Sequence, residues 1–472
     1  MSNLNNILNR ESALPVVLGS RQMSMVAFGT VISYGLVSGS AFPLLVAGAA
    51  AIPAYAAAAL VALLLMASLG RLVAKHPTPG AFGSYAECYL GSTVGFMVRA
   101  AYFASLVLII GTEVSLLAPV LTAWVPHVSA DAMLVAVLAG LAIVNLLGAR
   151  AFARCEVALS AFKVLALVGL IGLACYIAHG APTPTHESAA SLIVPFSNIW
   201  QAFMLAVFGF IGIESLAIVA AETKATPDAL RRGIRVTSFA VVGLAFVAVV
   251  VAGALLQAGM VSLSKPPFGA LLQLAGLPWP NTLLRVLILV TVLSVLNSQM
   301  YCASRMLFSM ARAGQAPAGL GRVSAARGPV WAVGASGGIS IVVFLVNGWL
   351  AGGVFVAATA VATTGLLFVW LAIFLSHVSH RLGRHGGARR FSKSAILSVI
   401  PAAAGALVVV AIAASILAID EFAPTMRIGL PTLLLLWLIA ALSRFMTKAK
   451  TTRFKPEAPA NAGRLSAHPL IE

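Results

Sequence analysis

The sequence predicts an all-α polytopic membrane protein of about twelve spanning helices, with the first and sixth broken in mid-span. Three observations lead there. Apolar runs long enough to cross a bilayer recur along nearly the whole chain, which is 60% hydrophobic and 9% charged with a mean hydropathy of +1.01. Lys and Arg gather in alternate connections. Two of the runs carry glycines and polar groups at their centres, where a lipid-facing helix gains nothing from either.

In chain order, segments 23–44, 46–70, 93–124, 131–149, 156–178, 199–221, 235–259, 282–311, 330–350, 353–376, 394–418 and 428–446 meet the roughly 20-residue requirement of a span. Only the Pro43 to Pro53 region separates the first two, so their boundary is soft. Residues 1–22 are polar, and the apolar run that follows is longer than a signal peptide's, so no cleaved targeting segment is expected. The tail, 447–472, is polar and rich in Pro and Ala, a composition that does not fold alone. No stretch is left for a large soluble domain.

The formal charge of +17 would point to nucleic acid in a soluble protein. Here its distribution points to topology, and no nucleic-acid partner is expected. With both ends on one side, that side receives Arg10, Arg21, Arg71, Lys75, Arg150, Arg154, Lys224, Arg231, Arg232 and Arg235. It also takes Arg312, Arg322, Arg327, the basic cluster from Arg381 to Lys393, and Lys448 to Arg464. The other side has Lys265, Arg285 and Arg427. The asymmetry places both termini in the cytoplasm of a cell inner membrane.

The first span reads GTVISYGLVSG around Ser33, Tyr34 and Gly35. Unwound there, it would offer backbone N–H groups at a positive half-helix end, a receptor for a carboxylate. The alternative is that small residues merely allow close helix packing. The sixth span holds Phe208-Gly209-Phe210-Ile211-Gly212-Ile213-Glu214, and a break at Phe208–Ile211 would aim carbonyls at an ammonium group. Together the two breaks suit a zwitterion. Five helices separate their starts, and an odd number of helices per repeat inverts the second unit.

Three ionisable residues lie inside apolar runs: Glu113, Lys163 and Glu214. For Lys163 the competing reading is snorkelling to the interface; for the carboxylates it is a structural hydrogen bond. His377, His380 and His385 sit among arginines and read as a solvated cytoplasmic face, not a metal site. The four cysteines have no metal-ligand spacing and read as buried free thiols. The chain holds no Walker A loop, zincin motif or G-x-S-x-G elbow, so neither an ATP-driven pump nor an enzyme is expected.

Four stretches resemble the amino acid–polyamine–organocation superfamily, in its bacterial amino acid permease branch. VISYGLVSGSA resembles the family's first-helix glycine motif. LGRLVAKHPTPGAFGSYAECYLG resembles its second-to-third-helix loop. FGFIGIESLAIVAAETKATP and LSVLNSQMYCASRMLFSMARAGQAP resemble its sixth- and eighth-helix blocks, the last two on the GABA-permease side of the branch. The resemblance implies the leucine-transporter fold, with two inverted five-helix repeats, 23–178 and 199–376, and with 394–446 peripheral. It implies a substrate carboxylate on the amides of Tyr34 and Gly35, and an amino group on the carbonyls of Val31, Phe208 and Ile211. Phe208 falls at a gating aromatic, and Lys163 at a lysine that replaces a sodium ion in proton-coupled relatives. Ser33 stands where the family has its first motif glycine, Tyr34 replaces a small residue, and Arg71 replaces the loop glutamate.

The expectation is therefore a secondary transporter importing small or neutral amino acids, with H+ as coupling ion, Lys163, Glu113 and Glu214 as its carriers, and no other cofactor or metal. Its partners are the amino acid and the lipid bilayer; oligomeric state is not readable. An amino acid or polyamine exchanger of the same fold is one alternative. A non-transporting membrane receptor or scaffold is another.

Overall fold

The computed structural model describes residues 2–33, 36, 41–180, 194–258, 267–324, 328–350, 353–382, 393–420 and 422–447. Tyr34, Gly35, His385 and the tail beyond Thr447 lie outside the described residues. The described chain is helical: α1 Ser2–Glu11, α2 Ser20–Val31, α3 Ala41–Ala47, α4 Ala51–Lys75, α5 Ala81–Leu90, α6 Ser92–Glu113, α7 Ala118–Trp124, α8 Ala130–Leu146 and α9 Ala149–Gly180. There follow α10 Phe196–Phe208, α11 Leu216–Ala220, α12 Pro227–Gln257, α13 Pro267–Leu274, α14 Pro280–Arg312, α15 Val330–Trp349, α16 Gly353–Arg381, α17 Lys393–Ala418 and α18 Ala423–Thr447.

Ten helices among the described residues are long and apolar enough to span a membrane, against about twelve expected. The fourth expected span is α8, apolar but 17 residues long. The first is represented by α2, which stops at Val31. The soft boundary resolves as a 3₁₀ turn at Gly48–Ala50 between α3 and α4. Pro43 and Pro53 fall in the first turns of those helices, where a missing N–H costs no hydrogen bond. Ser129 and Thr226 cap α8 and α12 by accepting from the N–H groups of Ala132 and Ala229.

Helix α6 packs against both α14 and α16, α9 lies against α2, and α12 and α10 lie against α4. One apolar core runs through most of these helices. His377 and His380 do not lie in a solvated loop. His377 and His380 belong to the last turns of α16; His377 is buried, 3.4 Å from the Arg71 guanidinium, and His380 lies against Tyr89. Cys88 and Cys302 are buried as expected, Cys155 is half-buried and Cys175 is exposed.

The polar N-terminus is a docked helix. Glu11 on α1 is fully buried and accepts from Ser84 Oγ (2.8 Å), Ser309 Oγ (2.8 Å) and Gly80 N (3.1 Å). Arg99, also fully buried, reaches Glu11 at 3.3 Å and Glu87 at 2.7 Å, and Arg10 grips Glu87 with two bonds of 3.0 and 2.6 Å. This network ties α1 to α5, α6 and α14.

Burial raises the Glu87 carboxyl, but the bonds and charges of Arg10 and Arg99 outweigh it and hold it below the usual carboxylate value. A group lowered in this way stabilises the docked state above its unfolded pKa and loses that effect as pH falls through the folded one. Amide exchange in α1, corrected for its intrinsic rate, is expected to be slow at neutral pH and to accelerate in acid below the ordinary glutamate value. Protection that persists unchanged down to about pH 3 would remove Glu87 as the anchor.

Candidate functional site

Helix α2 ends because its last carbonyls are diverted. Lys163 Nζ, on α9, donates to the carbonyls of Gly29 (2.6 Å) and Ile32 (3.0 Å). Ser33 N–H closes a tight turn onto the Val31 carbonyl at 2.8 Å. The Lys163 side chain is fully buried and points into the bundle, which excludes snorkelling. An ammonium on backbone carbonyls makes charge-assisted bonds worth about 1.5–3 kcal/mol each. They stabilise an α2 end that would otherwise leave carbonyls unsatisfied.

The sixth span breaks between α10 and α11. Gly209 to Gly212 form a turn, Gly212 takes φ 107° in the left-handed region that disfavours a side chain, and Ile213–Ser215 make one 3₁₀ turn. The turn's backbone bonds end on the carbonyls of Val207, Phe208, Phe210 and Gly212; among the described residues none ends on Ile211. Glu214 is fully buried and faces back across the turn. Its Oε2 accepts from the Gly212 N–H at 3.0 Å and the Trp370 indole N–H at 3.1 Å, while Oε1 is buried without a hydrogen-bond partner among the described residues. These bonds brace the break against α16. The two breaks touch where Ser215 Oγ donates to Thr30 Oγ1 at 3.3 Å.

A cavity of about 410 Å³ opens beside them. Thr30, Ser33, Phe208, Gly209, Ile211, Gly212 and Glu214 line one wall. Tyr102, Glu113, Ser298 and Gln299 line the facing wall, from α6 and α14. Its mouth carries the exposed Phe42 and Phe355. At the far end, Glu222 after α11 accepts from Tyr301 Oη at 2.7 Å and Arg305 Nε at 2.9 Å. The backbone of Glu222 to Lys224 pairs with Val17 and Leu18. That end is shut by buried charge and backbone pairing.

The sequence-predicted residues therefore separate into two groups. Ser33, Phe208, Ile211, Glu113 and Glu214 meet at one cavity, and Glu113 is half-buried beside Gln299. Val31 is buried but does not line it, and its carbonyl already takes the Ser33 N–H. Lys163 sits behind α2, not in the cavity. The sequence reading misses Glu156, Arg99 and the Glu222–Arg305 pair. For Glu156 a signal existed: it precedes Lys163 by two helical turns, which puts both on one face.

A broken helix pair around a largely apolar cavity that also holds two carboxylates, in a many-helix bundle, is the architecture of a carrier, and the comparisons with known proteins agree. The family model for amino acid permeases matches residues 22–456. A probable GABA permease of Pseudomonas aeruginosa is 30% identical over 79% of this chain and 80% of its own length. The gamma-aminobutyric acid permease of Escherichia coli is 28% identical, covering 79% and 82%. The aromatic amino acid transport protein AroP of Escherichia coli is 27% identical over 92% of this chain and 96% of its own length. A match spanning nearly all of the helices, on a site built from two broken spans, places this multi-pass membrane protein in the amino acid permease family.

Proposed function

We propose that the chain is a proton-coupled importer of small or neutral amino acids, working by alternating access in the inner membrane with both termini in the cytoplasm. The observation that carries it is the Lys163 ammonium bonded to the two carbonyls at the broken end of α2. An ammonium there is a switch: protonated, it holds α2 against α9; deprotonated, it gives up a charge and at least one donor. The Ile211 carbonyl, left out of its turn, is the acceptor for the substrate ammonium. Tyr34 and Gly35 are assigned to the carboxylate, Phe208 to the gate, and 23–178 and 199–376 to two inverted repeats. The named substrates of the GABA and aromatic relatives are neutral zwitterions, which supports the substrate class.

Purified protein in vesicles is expected to concentrate labelled GABA or phenylalanine when the outside is made acidic. Lys163→Ala is expected to lose that concentrative uptake while still binding substrate. Uptake that follows a sodium gradient and ignores pH would overturn the coupling. Flux that requires preloaded amino acid or amine would make the protein an exchanger.

A further inference from the structure

The fully buried Glu156 has no part in the mechanism above, yet it lies on the same switch. Its carboxylate accepts from Ser160 Oγ at 3.1 Å, from Asn297 Nδ2 at 2.8 Å and from Ser294 Oγ, so α9 and α14 fix its position. Asn297 is held in turn by the Asn145 amide at 3.1 Å. On its open side the carboxylate meets α2: a Cβ added to Gly29 would fall 1.9 Å from Glu156 Oε1. The same Gly29 gives its carbonyl to Lys163. One glycine of α2 therefore touches both charges of α9.

We propose that Glu156 is a positioning residue for transport, the counter-charge that keeps the Lys163 ammonium on the broken end of α2. Three neutral donors orient the carboxylate but do not cancel its charge, and a buried charge needs an opposite one. The other titratable groups facing it are Cys155 on α9 and Cys302 on α14; among the described residues, α2, α8 and α12 present no charged side chain to it. When Lys163 releases its proton, Glu156 is left uncompensated. The empty state is thereby made costly, and the lysine is recharged. When α2 withdraws, Gly29 leaves both groups together.

The inference rests on the proton-coupling role of Lys163, and one experiment separates the two. Uptake into vesicles is measured against external pH for wild type, Glu156→Gln and the swap Glu156→Gln with Asn297→Asp, with melting temperatures alongside. Without the counter-charge Lys163 loads only at higher proton concentration. Uptake by Glu156→Gln is expected to fall off about one pH unit lower than wild type, or about tenfold less at neutral pH. The swap moves the carboxylate to α14, where the new amide donates to it and Asn145 still has its acceptor; it is expected to restore the wild-type profile. A folded Glu156→Gln with an unmoved profile overturns the proposal. If that variant does not fold, a folded swap whose profile stays displaced overturns it. Wild-type uptake indifferent to pH sinks the reading of Lys163 instead.

Discussion

Replacing Arg99 by alanine is expected to cost about 3–5 kcal/mol of stability, the penalty of leaving the buried Glu11 with only the more distant, partly exposed Arg10 as its cation. Arg99 donates to Ser309 (2.8 Å), Gln315 (3.2 Å), Ser84 (3.0 Å), Glu11 and Glu87, with no exposed surface of its own. In the variant Glu11 keeps its neutral donors and loses its only fully buried counter-charge among the described residues. The vacated space is large, because the Arg99 stem packs where a Cβ on Gly83 would lie 2.4 Å away. Arg99→Lys is expected to recover only part of the loss, since one ammonium cannot span acceptors on α1, α5 and α14. The consequence for transport follows from connectivity. Residues 17–18, between α1 and α2, pair with Glu222 to Lys224, so freeing α1 loosens the closed end of the cavity. Melting of the detergent-solubilised protein and protease cleavage within residues 2–18 measure both effects. An alanine variant that melts like wild type, with α1 still protected, would show that the network is dispensable.

What was legible in the sequence follows from how local each cause is. The break in the sixth span was readable because Gly209, Gly212 and Glu214 are contiguous, and a left-handed glycine plus a short-range carboxylate bond need no distant partner. The break in the first span was readable in position, near Ser33, but not in mechanism. It is made by Lys163, more than 130 residues away along the chain. Apolar length located most spans, yet it could not show that α8 stops at 17 residues or that α2 ends at Val31. The direction of Lys163 was undecided for a physical reason: a lysine near a helix end can snorkel or turn inward, and only a neighbour offering free carbonyls settles it. Arg99 and Glu11 are 88 positions apart. Each alone reads as a charge at the membrane edge, and only the fold turns them into a buried pair. His377 failed as a solvated residue because α16 continues to Arg381 and carries it into the bundle.

Glu214→Ala is expected to abolish uptake and destabilise the protein by about 1–3 kcal/mol for each buried donor left unmade, whereas Glu214→Gln is expected to retain both fold and proton-driven uptake. The contrast comes from counting bonds. Oε2 of Glu214 accepts from Gly212 N and Trp370 Nε1, and Oε1 has no hydrogen-bond partner among the described residues. A glutamine can set its amide oxygen on the Oε2 position, keep both N–H donors, and leave its NH₂ at the Oε1 position, which has no donor to lose and borders the cavity. No charge is needed for any of these bonds. Alanine leaves the Trp370 and Gly212 N–H groups unpaired in a buried turn whose left-handed Gly212 depends on them. The glutamine variant thus separates bracing, which needs only an oxygen acceptor, from proton transfer, which needs an ionisable carboxyl. If it folds, binds substrate and responds to pH like wild type, Glu214 braces the break and the coupling proton lies with Lys163. If it folds and binds but no longer concentrates substrate in a proton gradient, the bracing account fails, and Glu214 itself carries the proton past the point where the two broken helices meet.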